Sequence, residues 1–129
     1  MVIPEFFTDS ELSCKCGCGL IAPTKSVYKL YAVRLLWGKP MIINSAVRCP
    51  IHNKRVGGTT GSTHLPPKDR AGHSSDWGGC AFDIRTNSYR EQRQIESIAV
   101  SCGFTGIGEG NGFIHIDDAN RPQLTWWIY

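Results

Sequence analysis

The sequence predicts an α+β fold, a mostly antiparallel sheet with flanking helices. Three observations lead there. Helical spacing occurs in two separate stretches, one early (Lys25 to Trp37) and one late (Ser88 to Cys102). Short β-branched runs lie between and after them. The last two runs are close in sequence and are split by Gly110-Asn111-Gly112, which suits a hairpin.

In chain order, Phe6-Phe7-Thr8-Asp9 reads as an extended entry into a helical turn capped by Thr8 or Asp9. A loop with Cys14, Cys16 and Cys18 follows. Thr24 is the expected N-cap of the first long helix, and Gly38 with Pro40 stops it. Val27, Leu30, Val33 and Trp37 form its apolar stripe, leaving Lys25, Lys29 and Arg34 for solvent. Met41 to Val47 reads as a buried strand, and Ile51 to Val56 as a short helix ended by Gly57-Gly58. Thr59 to Gly79 has loop composition, and Ala81 to Arg85 reads as a strand. Ser88-Tyr89-Arg90-Glu91 is a capping box for the second helix, with Ile95, Ile98, Ala99 and Cys102 on its buried face and Gly103 after its end. Phe104 to Gly108 and Phe113 to Asp117 form the hairpin strands, and Gln123 to Tyr129 an edge strand.

A chain of 129 residues, 41% hydrophobic and 19% charged, has the length and composition of a single folded domain, residues 1–129. Its net charge of +3 is compatible with an acidic polymer such as a cell wall. There is no Lys/Arg run and no basic face with interleaved aromatics, so nucleic acid is excluded as a partner. The N-terminus lacks the basic and apolar parts of a signal peptide, and no stretch is long enough to span a membrane. The expected place of synthesis is therefore the cytoplasm, and the expected state a monomer.

The chemistry centres on Phe113-Ile114-His115-Ile116-Asp117. As a strand it places Phe113, His115 and Asp117 on one face and the two isoleucines on the other. Partners for a metal ligand on that strand lie upstream, in Ser62-Thr63-His64 and in Gly79-Cys80-Ala81-Phe82-Asp83. Two imidazoles and a carboxylate from His64, His115 and Asp83 meet the needs of a hydrolytic zinc, which takes three protein ligands and keeps one position open.

These segments, preceded by Ile43-Asn44-Ser45-Ala46-Val47-Arg48-Cys49-Pro50-Ile51-His52-Asn53 and Val56-Gly57-Gly58, occur in an order that resembles the zinc D-alanyl-D-alanine carboxypeptidase family. The likeness is to its small phage and bacterial murein peptidases, whose fold is shared with hedgehog signalling domains, and it runs from about Phe6 to Trp126-Trp127. The resemblance implies zinc bound by His64, Asp83 and His115, and a substrate contact from Arg48, the Arg of the family's Ser-x-x-Arg segment. Ser62, in the Ser-x-His pattern, joins Arg48 on the substrate side.

The sequence departs from the family in three places. The family usually has seven positions from its first His to its Asp, whereas here nineteen separate His64 from Asp83. Roughly a dozen residues within Pro66–Gly78 look inserted; they include Asp69, His73 and Asp76, and His73 is the alternative first ligand. The insertion is either a lid or substrate rim, or a solvated, partly disordered loop. Several relatives place an acid three positions before the late His, where this chain has Gly112. Glu109, at the expected hairpin turn, and Asp117 are then the candidates for the catalytic base, with an outer role holding His115 as the other reading of Asp117. Where His-x-His members carry a second histidine, this chain has Phe113.

Cys14, Cys16 and Cys18, with or without Cys49, are open to three readings: a thiolate metal site, a disulfide, or plain thiols. Cys80 and Cys102 are expected in the core. Trp126, Trp127 and Tyr129 either seal the sheet or line a sugar-binding groove, with core packing the expected role.

The reading that follows from the resemblance is a zinc-dependent peptidase for peptidoglycan stem peptides or cross-links. It would be a phage endolysin, released through a permeabilised membrane, or a virion-associated lysin. The alternative is a non-catalytic zinc module of the same fold.

Overall fold

The computed structural model describes residues 6–129. A short helix α1 (Asp9–Leu12) opens it, with Thr8 and Glu11 forming a reciprocal capping box. Helix α2 (Thr24–Trp37) follows, then strand β1 (Ile43–Ser45) and helix α3 (Pro50–Arg55). After a long connection come β2 (Ala81–Arg85), helix α4 (Tyr89–Ser101), β3 (Gly106–Glu109), β4 (Phe113–Asp117) and β5 (Thr125–Ile128).

The strands make one sheet in the order β1-β2-β4-β3-β5. The β1–β2, β2–β4 and β3–β4 pairs are antiparallel, but β5 lies parallel to β3. The sheet is therefore mixed, which corrects the mostly antiparallel expectation. Residues 118–124 carry the chain back across the sheet, so the tail enters beside β3 running the same way instead of folding back as a hairpin.

Registers fix the two faces. Phe82 pairs with Ile116 and Ile84 with Ile114, while Asp83 pairs with His115. On the first face, Phe82, Ile84, Ile107, Ile114 and Ile116 are fully buried against Leu30 and Val33 of α2 and Ile95 and Ala99 of α4. Phe82 meets Phe104 edge-to-face, with centroids 6.4 Å apart. Both long helices cover this face, and the other is left open to form a site.

Helix α2 begins one residue before the expected start. Thr24 is its first residue, and Pro23, its N-cap, makes no side-chain capping bond. The expected strand Met41–Val47 shortens to three residues because the β1–β2 register shifts between Ile43 and Ser45. Lys29, expected in solvent, pairs with Asp118 at 3.2 Å and ties α2 to the end of β4. Ser88 caps α4 as expected, but Glu91 returns its carboxylate to the Asn87 amide and not to Ser88.

Candidate metal centre and its cleft

Strand alternation decides what reaches the open face. Asp83 and His115 face each other across β2 and β4, with His115 Nδ1 3.2 Å from Asp83 Oδ1. His64 arrives from the loop after α3, and its Nε2 lies 3.2 Å from the same oxygen. His64 itself is held by its backbone: the Arg48 amide donates to the His64 carbonyl at 2.7 Å, and the His64 amide to Ser62 Oγ at 3.2 Å. One ligand atom from each of His64, Asp83 and His115 falls within 4.8 Å of the others. His73 is exposed in a 3₁₀ turn (Gly72–Asp76) and lies apart from this group.

The outer nitrogens are already committed. His64 Nδ1 donates to the Ala46 carbonyl at 2.6 Å, which leaves Nε2 facing the centre. His115 Nε2 donates to Asp117 Oδ2 at 2.9 Å, which leaves Nδ1 facing it. A metal-binding histidine is oriented in this way when a carbonyl or carboxylate takes its other N–H. The donor set, two imidazoles and one carboxylate converging from three elements, fits a zinc ion with an open position.

Electrostatics follow from burial and from these bonds. Burial pushes the His64 pKa down, and Asp83 only partly offsets it. Burial also acts to lower His115, but the hydrogen bonds and charges of Asp117 and Asp83 prevail and hold it above the ordinary value. Burial would raise Asp83, yet the two histidines hold its carboxyl well below the usual range.

Asp117 is fully buried and saturated. Besides His115, its carboxylate accepts from Arg121 Nη2 at 2.7 and 2.6 Å, the Ala119 amide at 3.2 Å and Thr63 Oγ1 at 3.3 Å. Burial works to raise its pKa, but His115 and Arg121 hold it low. A carboxylate so occupied orients His115 and is not free to take a proton from substrate water. Glu109 is elsewhere. It ends β3 opposite Ile114, which puts it on the helix side of the sheet, 3.4 Å from Arg93 of α4. The expectation that it swings from a hairpin turn toward the metal is corrected by this register: Gly108, not Glu109, stands opposite His115.

The centre lies in a cleft of about 470 Å³. Arg48, Ser62, Trp77, Phe113, Trp127 and Tyr129 line it beside the triad. Arg48 is set by bonds to Ser45 Oγ (3.1 Å) and Asn53 Oδ1 (3.3 Å), and its Nη2 lies 3.6 Å from Asp83 Oδ2. Trp127 and Tyr129 form a wall rather than core, because β5 pairs Trp127 with Gly108 on the open face. A Cβ on Gly108 would come within 2.6 Å of the Trp127 ring, so only glycine lets the indole lie there. The Trp127 ring centroid is 5.1 Å from that of His115. Trp126 faces the other way and is half exposed. Cys80 is buried, and Cys102 is only half-buried.

Two arginines carry structure that the sequence did not signal. The inserted loop is organised around Arg70, buried at 5% exposure. Its guanidinium donates to the carbonyls of Leu65, Ser74, Gly78, Thr63 and Gly79 at 2.6–3.3 Å. This is an ordered collar beside the cleft, with Lys68, Asp69, His73 and Asp76 exposed on its outside. Arg121 holds Asp117 and lies over the Trp77 ring at 5.1 Å. An arginine that collects backbone carbonyls has no sequence pattern. Within the loop Arg70 stands beside Lys68, Asp69 and Asp76, so charge alone did not single it out.

A family model described as Peptidase M15 matches residues 5–117. No curated protein and no solved structure matches the chain. Among the described residues, no helix is long and apolar enough to cross a membrane.

Proposed function

The chain belongs to the Peptidase M15 family, whose members are zinc-dependent metallopeptidases; on that premise we propose that it cuts peptide bonds in peptidoglycan, at the end of a stem peptide or in a cross-link. The observation that carries this is the triad itself: His64, Asp83 and His115 converge with their outer atoms already bound, on the floor of a cleft large enough for a peptide. Zinc held there by His64 Nε2, Asp83 and His115 Nδ1 would activate a water and polarise the carbonyl to be cut. Arg48 supplies a fixed guanidinium next to that point, suited to a terminal carboxylate or a peptide carbonyl. Ser62 braces the His64 loop at the cleft edge. Trp127 and Tyr129 give flat surfaces for the substrate backbone. The Tyr129 phenol, protonated at neutral pH, can donate to developing charge but cannot serve as a base. A wall-lytic role in a phage, as an endolysin or a virion-associated lysin, suits this substrate.

One observation favours a second reading, a non-catalytic zinc module that binds the wall. Among the described residues lining the cleft, Asp83 is the sole carboxylate, and it belongs to the metal set. Peptide hydrolysis gains about 10²–10⁴-fold from a positioned acid–base group, and neither Glu109 nor Asp117 is placed to give it. The deciding experiment is to incubate the zinc-loaded protein with purified murein and with a synthetic stem peptide ending in D-Ala-D-Ala. Released D-alanine establishes a carboxypeptidase, and new amino groups with conversion of dimers to monomers an endopeptidase. Zinc-dependent pelleting with murein, without any release, would replace the enzyme reading with the binding module.

A further inference from the structure

A second cluster lies outside the cleft, and the proposed function makes no use of it. Cys14, Cys16 and Cys18 sit in the loop between α1 and α2, and Cys49 is the N-cap of α3. Cys49 lies thirty-one positions after Cys18, yet all four sulfurs fall within 4.8 Å of one another. Cys14 Sγ is 3.4 Å from Cys16 Sγ, and Cys16 Sγ is 3.6 Å from Cys49 Sγ. A disulfide would bring two sulfurs to about 2.05 Å. A tetrahedron of thiolates about 2.3 Å from a central zinc has edges of about 3.8 Å, close to what is seen. The backbone is shaped to match. The Cys49 amide points at Cys14 Sγ and the His52 amide at Cys49 Sγ, each at 3.4 Å, which stabilises sulfur carrying negative charge. Gly17 and Gly19, with φ of +80° and +91°, turn the chain tightly enough for alternate residues to face one point.

We propose that Cys14, Cys16, Cys18 and Cys49 bind a second zinc ion, structural and closed, distinct from the cleft centre. Four thiolates fill its coordination, so no position remains for substrate or water. Each thiol gives its proton to solvent as its sulfur bonds the metal, and nothing is oxidised or reduced. Because Cys49 follows Arg48 directly, this ion would pin the corner that carries the substrate-facing guanidinium to the N-terminal loop. The geometry would thus link a loop remote from the chemistry to the aim of Arg48.

The test is metal counting on the full chain, purified under reducing conditions and loaded with zinc or with cobalt(II). Elemental analysis should give two ions per chain, one for each cluster. The cobalt form should show the intense near-ultraviolet sulfur-to-cobalt absorption of thiolate ligation. His115→Ala should lose one ion and keep that band, while Cys18→Ser should lose one ion and weaken it. If Cys18→Ser fails to fold, the wild-type cobalt spectrum and count decide alone. One ion per chain with no thiolate band overturns the proposal. So does an intact mass showing disulfides in the reduced-purified chain, or iron in place of zinc with a visible cluster absorption.

Discussion

Strand β4 carries two solutions to burial within five residues. Ile114 and Ile116 are fully buried on the helix side, and His115 and Asp117 are 4% and 0% exposed on the cleft side. The isoleucines are stabilised by losing contact with water and by close packing against Phe82, Ile84 and the helices. The polar pair costs free energy to bury, and the cost is offset only because every polar atom finds a partner: Asp83, Arg121, Thr63 and a backbone amide. One face therefore tolerates changes that conserve volume, whereas the other tolerates almost no change of atom type. The cleft side is a pre-built electrostatic device, and the helix side is the anvil that holds it still.

The sharpest way to break this comparison is to truncate adjacent residues. His115→Ala should abolish zinc retention in the cleft and reduce murein hydrolysis to background while the fold persists. Ile116→Ala should do the reverse, costing about 2–5 kcal/mol of stability with the cleft zinc retained at temperatures where it is folded. Metal analysis and thermal unfolding on both variants check this, and equal zinc loss in the two would show that the faces are not separable.

A smaller effect is expected one position on. Asp117→Asn keeps the shape but removes the charge that orients His115 and balances Arg121. Metal affinity in a chelator competition should fall about 10–100-fold. A loss of turnover with affinity intact would instead return Asp117 to the role of base. Arg48→Ala leaves both faces assembled and should lower kcat/KM for a stem peptide by the equivalent of about 1.5–3 kcal/mol, with zinc content unchanged. An unaltered kcat/KM would remove Arg48 from the substrate site.

The smallest catalytic effect belongs to Glu109→Gln, which should leave hydrolysis unchanged; a drop of about 10²-fold or more would restore Glu109 as the base. Its signature lies in stability. Burial first, and then Glu109, push the Glu96 carboxyl up to about 7 from an ordinary 4.5. A folded pKa above the unfolded one gives stability that is full below about 4.5 and lost as pH rises through about 7. Removing the Glu109 charge lowers the Glu96 value, so melting temperature should fall less between pH 5 and pH 8 in the variant than in wild type, to be read by thermal scans at both pH values.

By itself the sequence determined the periodic elements and the local identities. The 3.6 spacing gave α2 and α4, the alternation in Phe113–Asp117 gave the two faces of β4, and the Ser-x-His, Ala-x-Asp and His-x-Asp patterns named the three residues the fold brings together. These follow from interactions within a few residues of one another, which sequence writes directly. Tertiary structure decided whatever depends on what stands opposite. It made β5 parallel, sent Glu109 to the helix side because Gly108 is the residue across from His115, and turned the tail aromatics into a cleft wall. It also gathered five carbonyls around Arg70 and brought Cys49 to the N-terminal thiols. Strand register and long-range hydrogen bonding are properties of pairs far apart in the chain, and no single segment encodes its own partner.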